Sequence, residues 1–268
     1  MNKKELNEYI ANEIALADAN VSLFVKDMDT GETLYAYHEN EAVSSASTIK
    51  VPIMLAALEQ VRRGALTLEQ RIPVNECEIL DDTEVFEYGT CDCPLNELIY
   101  WMIVKSDNTS TNVLIETLGF AAINDMIHAL GMKSTVLGRK MLDFEALKAG
   151  RNNLISAYDM ALCYEALHRG TVLTPELCAF ALGILKRQRS MNMFLRYIAD
   201  DIEVAHKTGA LDPDLGHDRV AHDAGIFYLD NVRYYLGIFL TGAPDDKKYS
   251  RRLIGRLSKA VYEYSRGD

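Results

Sequence analysis

The chain has 268 residues, of which 49% are hydrophobic and 25% are charged, so it can bury a substantial core as one large domain or two interleaved lobes. Its net charge of −11 and its pI near 5.1 argue against a broad basic surface for nucleic acid or an anionic membrane. No apolar run approaches the roughly eighteen residues of a transmembrane helix.

The N-terminal residues and the cysteines indicate a cellular compartment. After the opening MNKKELNEYI no apolar export segment follows, so we expect no signal peptide. The five cysteines cannot all pair within one chain, which favours reduced thiols. We therefore expect a cytoplasmic protein, or an exported one if a leader was trimmed.

The hydrophobic period predicts the first elements in chain order. Residues 3–16 carry apolar side chains at helical spacing and indicate an amphipathic helix. The following segment, NVSLFVKDMDTGETLYAYHE, contains two extended runs around residues 29–31, which is typical of a β-hairpin.

The rest of the chain divides into a helical middle and a β-rich end. From residue 47 to about 185 the pattern is mostly helical, with Gly, Asn, Asp and Pro between the apolar runs. After Lys207, AGIFYLD and VRYYLGIFLTG form a second hairpin, and residues 245–265 close the chain as a helix. This order predicts one antiparallel sheet built from both chain ends.

The predicted domain organisation follows from that order. We expect one catalytic domain over residues 1–268, with no linker or repeat that would divide it into sequential domains. Its α/β lobe would combine residues 1–42 and 190–268, and residues 43–189 would form a helical lobe.

A serine and a lysine lie three residues apart where a polar stretch meets an apolar one. Ser47 and Lys50 in SASTIKVPIML would share one helix face about one turn apart. An amine desolvated by apolar neighbours has a lowered pKa and can accept the serine proton, which makes the hydroxyl a nucleophile. The alternative is that Ser47 is only an N-cap and Lys50 a solvated charge.

Two later motifs also carry chemistry. Ser106, Asp107 and Asn108 in KSDNTSTN lie at the junction of two predicted helices, where an ordinary N-cap box would explain the aspartate alone. The segment HKTGAL, residues 206–211, begins a predicted strand with an ammonium, a hydroxyl and a glycine that allows a ligand close to the backbone. A lysine that protects an edge strand from aggregation is the alternative there.

These motifs occur in the order SxxK, SDN and KTG, and the chance of all three together is on the order of one in a thousand or below. The set is that of class A β-lactamases and penicillin-binding proteins. The chain resembles a class A serine β-lactamase over nearly its whole length. The resemblance implies an α/β (α+β) fold with an antiparallel five-stranded sheet, flanking helices and a large all-helical insertion.

The resemblance also implies the catalytic residues. Ser47 would be the nucleophile that the β-lactam carbonyl acylates, and Lys50 its proton acceptor or relay. Ser106 would pass a proton to the departing ring nitrogen, with Asp107 structural. The backbone N–H groups of Ser47 and Ala210 would form the oxyanion hole.

The implied substrate contacts lie in the two later motifs. Asn108 would bind the side-chain carbonyl of the substrate, and Lys207 and Thr208 its carboxylate, beside Gly209. Arg219 is a candidate for a second carboxylate contact.

One departure from the family pattern concerns the loop that positions the deacylating water. In LGRKMLDFEALKAG, with Arg139 as the arginine of that loop, Met141 stands where the family has a glutamate. Asp143 or Glu145 would replace this glutamate if the loop is threaded differently, and both are otherwise solvated loop acids. Without an aimed base, water attack on the ester loses about 10²–10⁴-fold. We therefore expect acylation to be easier than deacylation.

The sequence predicts no metal and no cofactor. Cys91 and Cys93 are separated by too few residues for the usual zinc spacing, and His217 and His222 are not aimed at one point. No glycine-rich phosphate loop occurs. The partner we expect is a small molecule, with no nucleic acid and no membrane span, and the oligomeric state is open.

Three functions are compatible with these residues. The first is a β-lactamase-like serine hydrolase with slow deacylation, acting on a β-lactam or a related carboxylate-bearing amide or ester. The second is a D-alanyl peptidase- or esterase-like hydrolase. The third is a penicillin-binding or sensing module that is acylated once and stays occupied.

Overall fold

A five-stranded antiparallel sheet is built from both ends of the chain, in the order β2-β1-β9-β8-β7. The computed structural model describes residues 1–213, 218–244 and 246–267. The strands are β1 Asn20–Asp27, β2 Thr33–Tyr37, β3 Val43–Ser44, β4 Arg71–Val74, β5 Cys91–Pro94, β6 Leu154–Ile155, β7 Glu203–Leu211, β8 Val220–Tyr228 and β9 Arg233–Thr241.

Helices cover both faces of this sheet and fill the middle of the chain. They are α1 Lys3–Ala15, α2 Lys50–Arg62, α3 Leu95–Val104, α4 Asn108–Leu118, α5 Phe120–Ala129, α6 Phe144–Lys148, α7 Ala157–Arg169, α8 Pro175–Leu185 and α9 Lys247–Arg266, with short 3₁₀ turns at Ala46–Ile49, Glu76–Glu78 and Phe194–Tyr197. The predicted fold class is confirmed: an α/β (α+β) fold with a five-stranded antiparallel sheet and a helical insertion.

Two apolar clusters lie on opposite faces of the sheet. One packs the outer sheet face against α1 and α9, through residues such as Leu6, Ile10 and Leu257. The other joins the inner sheet face to the central helices, and it contains most of α2. Burial of apolar surface on both faces fixes the sheet between its helical layers.

Helix α2 is buried along nearly its whole length, which explains why its sequence lacks a clear polar face. Its residues from Lys50 to Glu59 are all buried, so the helix runs through the core of the helical region. Two tyrosine hydroxyls then tie that region to the sheet. Tyr235 of β9 donates to the Ala157 carbonyl at 3.0 Å, and Tyr164 of α7 donates to the Ala224 carbonyl at 2.8 Å.

Some elements differ from the prediction in their limits. Strand β8 begins at Val220, four residues before the predicted run AGIFYLD, and so takes in His222. The small strand pairs β3–β6 and β4–β5 were not predicted, because two- to four-residue strands show no clear period. None of the helices in the described residues combines the length and the apolar character that crossing a bilayer requires.

The close pairing of β7 and β8 gives a stability prediction. A Cβ atom at Gly225 would lie 2.3 Å from the Ala205 carbonyl oxygen and 2.4 Å from the His206 Cβ, both on β7. Because the contacts include backbone, Gly225→Ala should lower the free energy of unfolding by about 1–3 kcal/mol. Gly183→Ala in α8 meets nothing within 4 Å and should instead add about 0.5–1 kcal/mol. Urea unfolding of both variants tests this, and equal stability of the two would contradict it.

Candidate active site

Ser47 lies in the 3₁₀ turn Ala46–Ile49 that leads directly into α2. The N-cap of α2 is Ile49, so Ser47 is not a capping residue of that helix. Ala46 immediately before it has a φ of 45°, a left-handed conformation that costs a non-glycine residue about 1–2 kcal/mol. Ser47 is half-buried. The turn therefore places a serine next to the core, directly after a strained residue.

One hydrogen bond within the turn and two from outside it hold the turn in place. The Ser45 N–H donates to the Asn153 carbonyl at 2.8 Å, and the Thr48 hydroxyl donates to the Ser45 carbonyl at 2.6 Å. The fully buried His222 ring on β8 donates from Nε2 to the Ser44 carbonyl at 2.8 Å. The turn is thus fixed to the sheet as well as to the helical region.

The KTG segment lies directly against this turn. Gly209 of β7 has so little room that a Cβ there would lie 3.1 Å from the Ser45 carbonyl oxygen and 3.2 Å from the Ala46 Cβ. Since β7 is the edge strand of the sheet, its outer backbone groups have no neighbouring strand in that sheet. Thr208 is buried, and Ala210 is exposed near the end of the strand.

Two fully buried lysines meet at the hydroxyl of Ser106. Lys50 Nζ lies 3.1 Å from Ser106 Oγ, and Lys207 Nζ lies 3.1 Å from the same oxygen. Lys50 also contacts the Ser106 carbonyl oxygen at 2.6 Å and Asn108 Oδ1 at 2.7 Å. Lys207 donates in addition to the Thr208 carbonyl at 2.7 Å. The structure therefore brings the three predicted motifs to one place.

The contacts of Lys50 differ from the sequence prediction in one respect. The predicted partner was Ser47, whereas the hydrogen bonds of this amine among the described residues go to Ser106 and Asn108. The Ser106 carbonyl and Asn108 Oδ1 can only accept. A neutral amine would give its two N–H groups to them and turn its lone pair toward the Ser106 hydroxyl.

Burial sets the charge of both lysines. Burial, followed by the nearby Lys207 charge, lowers the pKa of Lys50 well below its usual value, against the opposing effects of Asp107 and Asp82. Burial lowers the pKa of Lys207 to about 7, and Asp223 opposes this shift. Near neutral pH the pair thus holds fewer protons than two solvated lysines would. An amine that lacks a proton can accept one, so protons can pass between Lys50 and Lys207 through the Ser106 hydroxyl.

The backbone of the SDN segment places Ser106 against the Lys50 amine. Ser106 has a φ of 58°, and this left-handed conformation accompanies the contact between its carbonyl and the Lys50 amine. Asp107 is the N-cap of α4 and accepts from both the N–H and the hydroxyl of Ser110. It also accepts a hydrogen bond of 2.5 Å from the Thr83 hydroxyl. The structural role predicted for Asp107 is consistent with these contacts.

The loop after α5 is held by asparagines that the sequence reading did not single out. Asn112 accepts from the Met141 N–H at 2.7 Å and donates to the Met141 carbonyl at 3.1 Å. Asn153 Oδ1 accepts from the backbone N–H groups of Gly138 and Arg139. Asn112 lies four residues after Asn108 on α4, so their side chains share one helix face. This spacing could have identified Asn112 as a site residue from the sequence.

The two acids proposed as replacement bases are engaged elsewhere. Asp143 is the N-cap of α6 and accepts from the Ala146 N–H at 2.9 Å. Glu145 is paired with Lys148 at 2.8 Å, and 84% of its side-chain surface is exposed. Met141 is buried, and its backbone N–H donates to Asn112 Oδ1. The structure thus agrees with the interpretation of both acids as ordinary loop residues.

The remaining candidates have structural partners or lie outside the described residues. Arg219 is buried and paired with Asp212 at 2.7 Å, near Ala210, and its role in substrate binding stays a prediction. His217 lies outside the described residues. Within them, no group of three or more His, Cys, Asp or Glu side chains is arranged to hold a metal ion.

Nearly the whole chain matches the model of a protein family. A family model described as the β-lactamase enzyme family matches residues 4–265. The chain belongs to the β-lactamase enzyme family. The resemblance to class A serine β-lactamases is thereby confirmed, and with it the assignment to a family of serine hydrolases.

Individual β-lactamases resemble this chain at low identity. The extended-spectrum β-lactamase PER-1 of Pseudomonas aeruginosa is 23% identical over 268 aligned residues, which cover 97% of this chain and 87% of the relative. A solved class A β-lactamase from Bacteroides cellulosilyticus DSM 14838 has a TM-score of 0.91 at 22% identity, covering 99% of each chain. A mutant of PBP-A, solved as an acyl-enzyme complex with penicillin G, has a TM-score of 0.85 at 25% identity, covering 99% of this chain and 97% of that chain.

The His222 anchor of this β-lactamase family member predicts sensitivity to acid. Its Nδ1 accepts from the Leu240 N–H, and burial lowers the pKa of the ring to about 4 from 6.5. Between these values the unfolded chain binds a proton that the folded protein does not. The free energy of unfolding therefore falls as pH falls through this window, by up to about 3 kcal/mol.

Urea unfolding at pH 7 and pH 4.5 measures this loss. His222→Gln, which keeps a donor for the Ser44 carbonyl and does not titrate, should lose less stability between the two pH values than the unmodified protein. His128→Gln, at an exposed histidine, is the matched control and should behave like the unmodified protein. An equal loss in both variants would show that His222 does not carry the effect.

Proposed function

We propose that this protein forms an acyl-enzyme on Ser47 with β-lactams, or with related amides or esters that carry a carboxylate, and that the acyl-enzyme is hydrolysed slowly. The observation that carries the proposal is the meeting of Lys50 and Lys207 at the Ser106 hydroxyl, beside the strained turn that contains Ser47. Such an arrangement supplies a base, an acid and an anion-binding group around one carbonyl.

Acylation would begin with Ser47. Its Oγ attacks the carbonyl carbon while its proton passes to a neutral Lys50 amine, which would turn its lone pair from the Ser106 hydroxyl to Ser47 for this step. The lowered pKa of Lys50 favours that neutral form. The backbone N–H groups of Ser47 and Ala210 would stabilise the negative oxygen of the tetrahedral intermediate. The amide C–N bond then breaks, and Ser106 delivers a proton to the departing nitrogen and regains one from Lys50.

Substrate binding would use residues on both sides of Ser106. Lys207 and Thr208 would hold the substrate carboxylate beside Gly209, since an anion placed there returns Lys207 to its charged form. Asn108 would hold the side-chain carbonyl through its amide N–H. Its Oδ1 accepts from Lys50, which supports this use of its Nδ2 group as the donor.

Slow deacylation follows from the loop that contains Met141. Water must be deprotonated to attack the ester, and a thioether cannot accept that proton. Asp143 and Glu145 are committed to a helix cap and to a surface ion pair. A protein that keeps its acyl group in this way acts as a poor β-lactamase or as a penicillin-binding module. The likeness to a mutant of PBP-A that was solved as an acyl-enzyme complex with penicillin G supports acylation by either kind of protein.

Intact mass spectrometry tests acylation and deacylation together. Mixing the protein with penicillin G should add the mass of one whole penicillin, and Ser47→Ala should show no adduct. The adduct should persist for minutes or longer after excess penicillin is removed. Absence of an adduct would favour a peptidase, an esterase or an inactive site, and rapid turnover of penicillin would contradict slow deacylation.

Restoring a base at residue 141 tests the reason for slow deacylation. Met141→Glu should accelerate decay of the adduct by about 10²–10⁴-fold, the range of general base catalysis. Met141→Gln has the same size and no base, and should leave the decay unchanged. Equal decay in the two variants would mean that the missing carboxylate is not the cause.

The pH dependence of acylation tests the coupling of the two lysines. Acylation needs neutral Lys50, so its rate should rise with pH through the lowered pKa of that residue. Lys207→Gln removes the like charge that helps to lower this pKa, and should move the acid-side midpoint to higher pH as well as weaken binding. Lys148→Gln on the surface is the control. An unchanged midpoint in Lys207→Gln would contradict the coupling.

A further inference from the structure

The amide of Asn108 is held at both of its ends by ionisable side chains. Its Oδ1 lies 2.7 Å from Lys50 Nζ, and its Nδ2 donates to Asp82 Oδ2 at 2.6 Å. Asp82 belongs to the loop between the 3₁₀ turn Glu76–Glu78 and β5, and it is exposed. The three motifs do not contain this residue, yet its carboxylate is one hydrogen bond away from the amide proposed to bind substrate.

The Asp82 carboxylate accepts from a neutral amide, that of Asn108. Lys50 on the other side of the amide is fully buried and directs its hydrogen bonds to Ser106 and Asn108. Lys105, next to the SDN segment, is already paired with Glu84 at 2.7 Å. Residues 76–87 include further acids and no Lys or Arg. The Asn108 side of the site is therefore negative, whereas the Lys207 side would accept an anion.

We propose that Asp82 determines specificity, by selecting acyl compounds that carry a carboxylate at one end and an ammonium beside the side-chain carbonyl at the other. This inference rests on the proposed function. An ammonium on the carbon next to that carbonyl would lie close to the Asp82 carboxylate whenever the carbonyl accepts from Asn108 Nδ2. A carboxylate at the same carbon would be repelled, and a neutral group would be intermediate.

Three penicillins with the same nucleus separate these cases. Ampicillin carries an ammonium on the carbon next to the side-chain carbonyl, benzylpenicillin carries no charge there, and carbenicillin carries a carboxylate. At pH 6 the ammonium and the carboxylate are both charged. Binding is measured by calorimetry on the full chain with Ser47→Ala, so that affinity does not depend on acylation.

Ampicillin should bind about tenfold more tightly than carbenicillin, with benzylpenicillin between them. Adding Asp82→Asn should reduce the ratio to about one. Asp82→Lys should reverse the order. Asp81→Asn changes the net charge equally at the neighbouring exposed residue and should keep the ratio near that of the Ser47→Ala protein. High salt should also reduce the ratio, since the interaction is exposed.

Acylation of the chain with Ser47 intact, measured with the same compounds, distinguishes the two proposals. If the affinity order is present and Ser47 forms no adduct, Asp82 selects as inferred and the acyl-enzyme proposal is wrong. If adducts form but the affinities do not depend on side-chain charge, or depend on it equally in Asp82→Asn, the role of Asp82 is overturned. If no compound binds and none acylates, both are overturned.

Discussion

Two lysine side chains buried without exposed surface, meeting at one serine hydroxyl, are the constraint on which the rest of this structure depends. Removing an ammonium from water is costly unless it is paired or neutralised. The protein resolves this in two ways. Acceptor oxygens of Ser106, Asn108 and Thr208 surround the amines, and burial lowers both pKa values so that the charged forms are less populated.

The fold holds these lysines in place through strained and closely packed backbone. Of the four non-glycine residues with positive φ among those described, Ala46 precedes the proposed nucleophile, Ser106 joins the lysines, and Leu142 follows the Met141 position. Each costs about 1–2 kcal/mol, and such strain is found where the surrounding structure fixes a functional geometry. Burial of apolar surface on both sides of the sheet supplies the stability that these positions remove.

Much of the fold could be predicted, because long elements have a clear period. The closing helix, both hairpins and the buried α2 were visible, and the order of the three motifs identified the family. The site was less predictable. Ser47 was expected on the helix itself, whereas a 3₁₀ turn precedes α2, and the expected Lys50–Ser47 contact gives way to contacts with Ser106 and Asn108.

The residues that the sequence did not reveal act through long-range contacts. Asp82 and Asn108 are 26 residues apart, and His222 reaches the Ser44 carbonyl from 178 residues away. The local hydrophobic period of the sequence does not indicate such long-range pairs. Asp143 and Glu145 show the reverse case, since their positions in the loop suggested a catalytic role and their hydrogen bonds place them in a cap and an ion pair.

The central claim is that burial beside Lys207 lowers the pKa of Lys50 well below its ordinary value, so that its neutral form is available as a base. The most direct measurement is a carbon-13 NMR titration of the lysine Cε resonances, with Lys50→Met to assign the resonance of that residue. The account predicts that the Lys50 resonance titrates well below the ordinary lysine value of about 10.4. A Lys50 resonance that titrates at that ordinary value would contradict it.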